Sequence, residues 1–394
     1  MAQRIEPDLS FIKELQAVGG DSLKKCYQCA TCSVACPISP ASNPYPRKEM
    51  IWAQWGLKDK LVNDIDIWLC HNCGTCSDLC PRGAKPGDLL SALRNMAYQK
   101  INPIPAIGKW MTSPKYLPIL AGIPALIYML FWIIQASRLG TAFPMTEDGR
   151  VVFGELFPEI PFIDFVFIPV VLCVALVFYT GVKNLIASIK PEGSVMMLGG
   201  QKKSWIRCLI DVVVDEIMTH KKFQDCGEDK SDRKLGHLTL FYGFICLAIV
   251  TNFLAAGYWN KVILGVLGIE VHNWFHTPMS FANPNKWLAI IGMFLLLTGL
   301  TLLTKRRLGQ DSKKTSSSYY DWYLLGVIWA VAITGTLSML LRLSGVAVLA
   351  FPMYYLHLIS VFMLFAYLPW SKLGHLVYRT AALTYARYIG RKPM

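Results

Sequence analysis

Eight of the twelve cysteines fall in two runs of one spacing. The first is Cys26, Cys29, Cys32 and Cys36 before Pro37; the second is Cys70, Cys73, Cys76 and Cys80 before Pro81. The interval is that of ligands to a pair of [4Fe–4S] clusters. Three cysteines of a tight turn hold one cubane, and the fourth, just before proline, reaches to the other. By that rule Cys26, Cys29, Cys32 and Cys80 form one ligand set, and Cys36, Cys70, Cys73 and Cys76 the second. Zinc is a rival, but structural zinc favours cysteine pairs set far apart. Disulfides are another, but they belong to oxidising compartments and small secreted domains.

Imidazoles form a second group of candidate ligands. His357 and His375 are 18 residues apart, about five turns at ~3.6 residues each, so one continuous helix would carry both on one face. Their ~27 Å separation along such a helix compares with the ~30 Å hydrocarbon core of a bilayer. An imidazole near each membrane surface is what two stacked b haems need. Pro369 lies between the two histidines and is expected to kink the helix. His237 is the expected partner of His375; for His357 the expected partner is His276, with His272 as the alternative. The plain alternative for any one of them is a hydrogen-bonded core or interfacial histidine. Ionisable groups at membrane depth are costly and usually functional, which favours ligation for the group. His71 lies inside a cysteine run and is expected to tune or cover that cluster. His220, in a basic stretch, reads as a surface residue. Cys173 and Cys246 read as small apolar fillers, and Cys208 and Cys226 have no assignment.

The elements that must position these ligands are helical, so the expected fold class is all-α. The chain has 394 residues, 54% hydrophobic and 16% charged, with a mean hydropathy of +0.38. That is too apolar for an ordinary soluble protein. Residues 1–100 read as a soluble α-helical ferredoxin domain. Helical periodicity is expected over 10–15, 47–57 and 88–100, the second placing Met50, Ile51 and Trp55 on one face. The long insertion 37–69 between the cysteine runs argues against a small β-hairpin ferredoxin. Residues 101–118 form a proline-punctuated linker.

Residues 119–394 carry six apolar stretches near the ~20 residues needed to cross a bilayer. They cover 119–137, 162–186, 238–259, 287–303, 322–341 and 351–370. Lysine and arginine concentrate in the second and fourth connections, for example Lys202, Arg207, Arg233, Arg306 and Arg307. The first and third hold few: Arg138, Arg150 and Lys261. The positive-inside rule then places both termini and the cluster domain in the cytoplasm of a multi-pass inner-membrane protein. It also accounts for the net charge of +13 without nucleic acid. The first 25 residues are polar and mixed in charge, unlike a secretory signal. Residues 205–218 are amphipathic, suited to the membrane surface, a partner, or the chain's own membrane part.

The segment WLCHNCGTCSDLCPRGAKPGDLLSALRNMA resembles the small iron–sulfur subunit of heterodisulfide reductase. The segments HKKFQDCGEDKSDRKLGHLTLFYGF and NPNKWLAIIGMFLLLTGLTLLTKRR resemble its membrane cytochrome subunit, a relative of the nitrate reductase gamma subunit. Fused in this order, the two resemble the membrane subunit of the quinone-modifying oxidoreductase of sulfate reducers. The resemblance implies two b haems, two [4Fe–4S] clusters and exchange of electrons with menaquinone. It implies as partners two soluble flavoproteins similar to the flavin-bearing heterodisulfide reductase subunit, and service to adenylylsulfate reductase. In the nitrate reductase relative, two histidines on one helix face two on the last; here His237 matches one, and Leu247 stands where the other is expected. The paired-cysteine CCG motif of disulfide chemistry is absent. Lys261, Glu270, His272 and Arg342 are the candidate polar groups for a quinone site near the far membrane face. The membrane arm of a heterodisulfide- or sulfite-reducing complex is the alternative function, and a membrane-anchored iron–sulfur sensor, needing no haem, is a third.

Overall fold

The computed structural model describes residues 6–40, 43–189, 204–220, 231–269, 277–311, 315 and 317–390. No strand occurs among them. The cluster domain is built from short helices: α1 (Leu9–Ala17), α2 (Thr31–Val34), α3 (Arg47–Gln54), α4 (Lys58–Val62), α5 (Asp66–Leu69), α6 (Thr75–Asp78) and the longer α7 (Pro86–Ile101). Asp8 caps α1 by accepting from the Phe11 amide at 2.9 Å. Pro86 opens α7 at the position where a missing amide hydrogen costs nothing.

One local expectation is corrected. In α3 the buried face is Glu49, Met50 and Ala53, while Trp55 stays exposed beyond the helix end. The buried Glu49 is tolerated because Lys48 Nζ lies 3.3 Å from it, 2.8 Å from Asp64 and 2.5 Å from Asp66. The proline-punctuated 101–118 stretch folds as α8 (Pro105–Trp110) and a 3₁₀ turn, Pro114–Tyr116, leading into the first long helix.

Among the described residues six helices are long and apolar enough to cross a membrane: Pro114–Leu139, Phe162–Ile189, Arg233–Val266, Pro284–Leu308, Tyr319–Leu343 and Ala347–Ala366. They correspond to α9 (Leu117–Leu139), α11 (Phe165–Ile189), α13 (Ser231–Val266), α14 (Pro284–Leu308), α15 (Tyr319–Leu343) and α16 (Ala347–Ala366). The short α10 (Phe153–Leu156) lies between the first two. α12 (Trp205–Val212) continues into a π-helical turn, Val213–Met218, and packs on α17 (His375–Tyr388). There Val212 joins Leu69, Leu383 and Ala386 in a small core. The amphipathic stretch therefore lays one side on its own chain; Ile206 and Ile210 on the other side remain exposed.

The last span differs from its expected form. α16 ends at Ala366, two 3₁₀ turns cover Leu368–Trp370 and Lys372–Gly374, and His375 opens a separate helix. His357 and His375 therefore do not share one continuous helix. Pro369 sits in the first of those turns, where its ring and missing amide hydrogen stop α16 from running on.

α13 is longer than a bilayer requires: 36 residues correspond to ~54 Å at ~1.5 Å per residue. Its head projects toward the cluster domain. One core runs from Phe11 and Trp68 through Tyr98 and Tyr378 to Tyr323 and Phe362, so the two parts share buried surface. At the junction Asn102 donates to Pro369 O at 3.2 Å and accepts from the Tyr378 hydroxyl at 2.6 Å.

Backbone approach between helices is closest in the α13–α14 pair. A Cβ at Gly299 would stand 2.6 Å from the Leu240 backbone nitrogen, the small-residue packing by which helices associate in lipid. Replacing Gly299 by Val should lower the melting temperature in detergent, overpacking costing about 1–3 kcal/mol. An unchanged melting curve would contradict this packing.

Candidate redox site

The two cysteine runs fold as copies of one device. In the first, Gln28 and Ala30 have φ of 61° and 68°; in the second, Asn72 and Gly74 have φ of 50° and 85°. Left-handed residues on either side of the second cysteine curl the backbone so that successive amides point inward, a concavity suited to anions. For Gln28, Ala30 and Asn72 this backbone is costly and persists only where the surroundings fix it. The second cysteine of each run meets the same partner: Cys29 Sγ lies 3.3 Å from the Thr31 hydroxyl, and Cys73 Sγ 3.4 Å from that of Thr75. The first is matched too. The Gln28 side-chain Nε2 donates to Cys26 Sγ at 3.4 Å, and the Asn72 backbone N–H to Cys70 Sγ at 3.3 Å. Ser33 and Ser77 each follow the third cysteine and accept a backbone amide, from Arg47 at 3.1 Å and Gly87 at 3.4 Å.

The grouping of thiols follows from their mutual charge effects. Burial raises Cys26, and Cys80 and Cys29 raise it further. Burial pushes Cys32 up to about 11, with Cys26 and Cys80 adding to it. Burial pushes Cys36 up to about 12, with Cys70 and Cys73 adding to it. Cys76 is raised by burial, then by Cys70, Cys73 and Cys36. Cys80 thus sits near Cys26 and Cys32 of the first run, and Cys36 near Cys70, Cys73 and Cys76 of the second. Cys32 also acts on Cys36 and Cys76, which places the two sets side by side. Cys26, Cys32, Cys36 and Cys76, crowded in this way, resist ionising together, and a multiply charged cation core relieves that repulsion. The donor set fits iron–sulfur clusters.

A cavity of about 590 Å³ opens between the second cysteine loop and the heads of α13, α15 and α17. His237 and His375 face each other in it, with ring centroids 6.4 Å apart and planes at 85°. Two imidazoles bound at ~2 Å on opposite sides of one iron place their centroids roughly 6 Å apart. Both rings have Nδ1 engaged. His375 Nδ1 donates to the Lys372 carbonyl, and His237 Nδ1 lies 3.1 Å from His220 Nε2. Metal-bound histidines commonly tie the second ring nitrogen in this manner. Burial lowers the His375 imidazole to about 4, so it is neutral at pH 7 and able to donate a lone pair. Leu240, Phe244 and Ile328 supply apolar walls, while Arg306 and Arg307 lie on the rim. The pocket fits a b haem. Its geometry was not legible in sequence, and it gives His220 a role as partner to His237 instead of a surface position.

The far half is different. His357 Nδ1 lies 3.1 Å from the Thr334 hydroxyl, which itself donates to Ala330 O. The ring presses on α15 where a Cβ at Gly335 would stand 2.9 Å from His357 Cε1. The other four described histidines gather at the cluster-side cavity. His272 and His276, the expected partners, lie outside the described residues, as does Glu270. The structure does not bring Lys261 and Arg342 together: Lys261 is exposed near the end of α13, and Arg342 stands near Lys286 at the end of α15. Sequence reading missed Lys286 and missed Glu159, whose carboxylate accepts from the Thr277 hydroxyl at 3.0 Å.

The family described as 4Fe-4S dicluster domain matches residues 22–84. The C subunit of the H(2):CoB-CoM heterodisulfide,ferredoxin reductase of Methanothermobacter marburgensis is 41% identical over 91 residues, 23% of this chain and 49% of that protein. The second iron-sulfur C subunit of the CoB--CoM heterodisulfide reductase of Methanocaldococcus jannaschii is 43% identical over 81 residues, 21% of this chain and 43% of that protein. The E subunit of the dihydromethanophenazine:CoB--CoM heterodisulfide reductase of Methanosarcina thermophila is 29% identical over 151 residues, 36% of this chain and 53% of that protein. The chain spans about half the length of these curated relatives. No solved structure matches it.

Serine in place of Cys80 should alter the electron paramagnetic resonance signal of the cluster held by Cys26, Cys29 and Cys32 alone. Cys36→Ser should alter the other. Loss of the same signal in both variants would contradict the crossed grouping. The chain joins, in one polypeptide, a dicluster part similar to the C subunit of heterodisulfide reductase and a six-helix membrane part similar to the E subunit.

Proposed function

We propose that this chain is the electron-transfer membrane subunit of a respiratory quinone oxidoreductase. It links menaquinol in the bilayer to two soluble flavoproteins similar to the flavin-bearing heterodisulfide reductase subunit, and through them to adenylylsulfate reductase. The observation that carries this reading is the His237–His375 pair, with centroids 6.4 Å apart in a cavity that the second cysteine loop also lines. A b haem there would supply one-electron storage between the membrane and the clusters.

The chain's own residues do the rest. His237 and His375 would hold the haem through their ring nitrogens, with His220 and the Lys372 carbonyl fixing their rings. Cys26, Cys29, Cys32 and Cys80 hold one cluster, and Cys36, Cys70, Cys73 and Cys76 the other. Cys29 is exposed, which gives the first cluster an open side toward a soluble partner. His357, with His276 or His272, is proposed to hold a second haem. Arg342 and Lys261, joined by Lys286 and Glu159, are proposed to line the quinone site at the far face. Arg207, Arg233, Lys234, Arg306 and Arg307 lie at the cluster-domain end of the spans, which supports a cytoplasmic cluster domain. Residues 1–100, 101–118 and 119–394 remain the proposed division into cluster domain, linker and cytochrome part.

The relatives' names favour a second reading, the membrane arm of a heterodisulfide-reducing complex. The soluble proteins that co-purify with the chain separate the two.

A dithionite-reduced visible spectrum of the purified chain should show b-type haem bands. Replacing His375 by Ala should remove the haem beside the clusters and leave cluster absorbance in place. Unchanged haem content in that variant would refute the pairing.

A further inference from the structure

Three guanidinium groups converge on residues 67–72, and one of them is placed differently from the others. Arg94 donates from Nε to Ile67 O at 2.9 Å and from Nη2 to Cys70 O at 3.0 Å. Arg233, on the projecting head of α13, donates to Asn72 O and His71 O, both at 2.8 Å. Both use the arginine fork to tie down backbone carbonyls. Arg379 instead reaches a side chain: its Nη2 donates to His71 Nδ1 at 2.5 Å. Arginine has donors only, so the His71 ring accepts, is neutral and carries its proton on Nε2.

Arg379 lies four residues after His375 on α17, so the two side chains share one helix face. His71 directly follows Cys70. The guanidinium therefore bridges the second cysteine set and the paired imidazoles, and it lines the cavity between them. Its Nε is buried and has no hydrogen-bond partner among the described residues. The charged groups that act on it are Arg94, Glu216 and Cys70. Glu216 is already bound by Arg387 at 2.8 Å. Burial, then Arg94, hold the guanidinium below its ordinary range, so its charge is kept at a cost. A structural pin alone would need no buried charge.

We propose that Arg379 is a positioning residue that sets the electron affinity of both neighbouring redox centres: its charge favours an added electron on either side, and its hydrogen bond holds the His71 ring between them. Net charge and hydrogen bonding near the metal are the protein's usual means of tuning such potentials. The proposal rests on the haem reading of the His237–His375 pair for one of its two centres.

The test is a potentiometric titration of the full chain in detergent, with visible spectra for haem and paramagnetic resonance for the clusters. Arg379→Gln keeps a donor for His71 and removes the charge. With iron and haem content unchanged, both midpoint potentials should fall, by about tenfold in the one-electron equilibrium constant or ~59 mV. Arg379→Lys should restore them. Glu216→Gln, which removes the opposing carboxylate, should move both potentials upward, and it carries the test should Arg379→Gln fail to assemble. Potentials equal to the native ones in Arg379→Gln, or in Glu216→Gln where that variant stands in, would overturn the inference. If the native chain binds no haem, the haem reading fails; a fall in the cluster potential alone would then still uphold the effect of Arg379, and no fall would overturn it.

Discussion

The contact between the Cys70–Cys73 loop and the heads of α13 and α17 is the constraint on which the rest of the architecture depends. Thiolate-bound clusters are anionic, and the apolar helices offer them no solvent. Arg94, Arg233 and Arg379, from three different helices, meet that loop and offset its charge. Beside them the cluster domain docks on the membrane part through apolar contacts, such as Trp68 against Tyr378, and through the Asn102 hydrogen bonds to Pro369 and Tyr378. Such packing fixes distance but not the orientation of a particular loop. Arginine's planar fork fixes both.

That docking explains why α13 outruns the bilayer. Its extra turns carry Arg233 to the cluster loop and, one turn later, His237 into the cavity. The break between α16 and α17 serves the same end. By ending α16 and restarting at His375, the chain turns one imidazole toward His237 and sends Arg379 to His71. A continuous last helix would keep both histidines on one line and could not place Arg379 independently of the lipid-facing segment.

The legible parts of the sequence were those with strong local signals. The cysteine spacing is local, and the two runs fold as matching turns with left-handed residues at equivalent places. The six apolar stretches were read from composition, because a bilayer demands a minimum length of apolar helix. What failed depended on tertiary context. Trp55 lies beyond the end of α3, so periodicity alone placed it wrongly. The break at Pro369 was visible as a proline, but whether a proline kinks or ends a helix depends on neighbours, here the Asn102 and Tyr378 contacts around it. His220 looked like a surface residue because its neighbours in sequence are basic; only the fold brings it to His237. Arg379 carried no signal beyond its place four residues after a histidine.

The central claim is electrical continuity from the membrane to the clusters. The most direct measurement is reoxidation of the fully reduced chain, in lipid vesicles without air, by an added naphthoquinone. The account predicts that haem and cluster signals both return to their oxidised form. It also predicts that loss of the imidazole at position 237 or 375 blocks the clusters while leaving them intact. Clusters that stay reduced in the native chain, or that reoxidise equally well without those imidazoles, would contradict it.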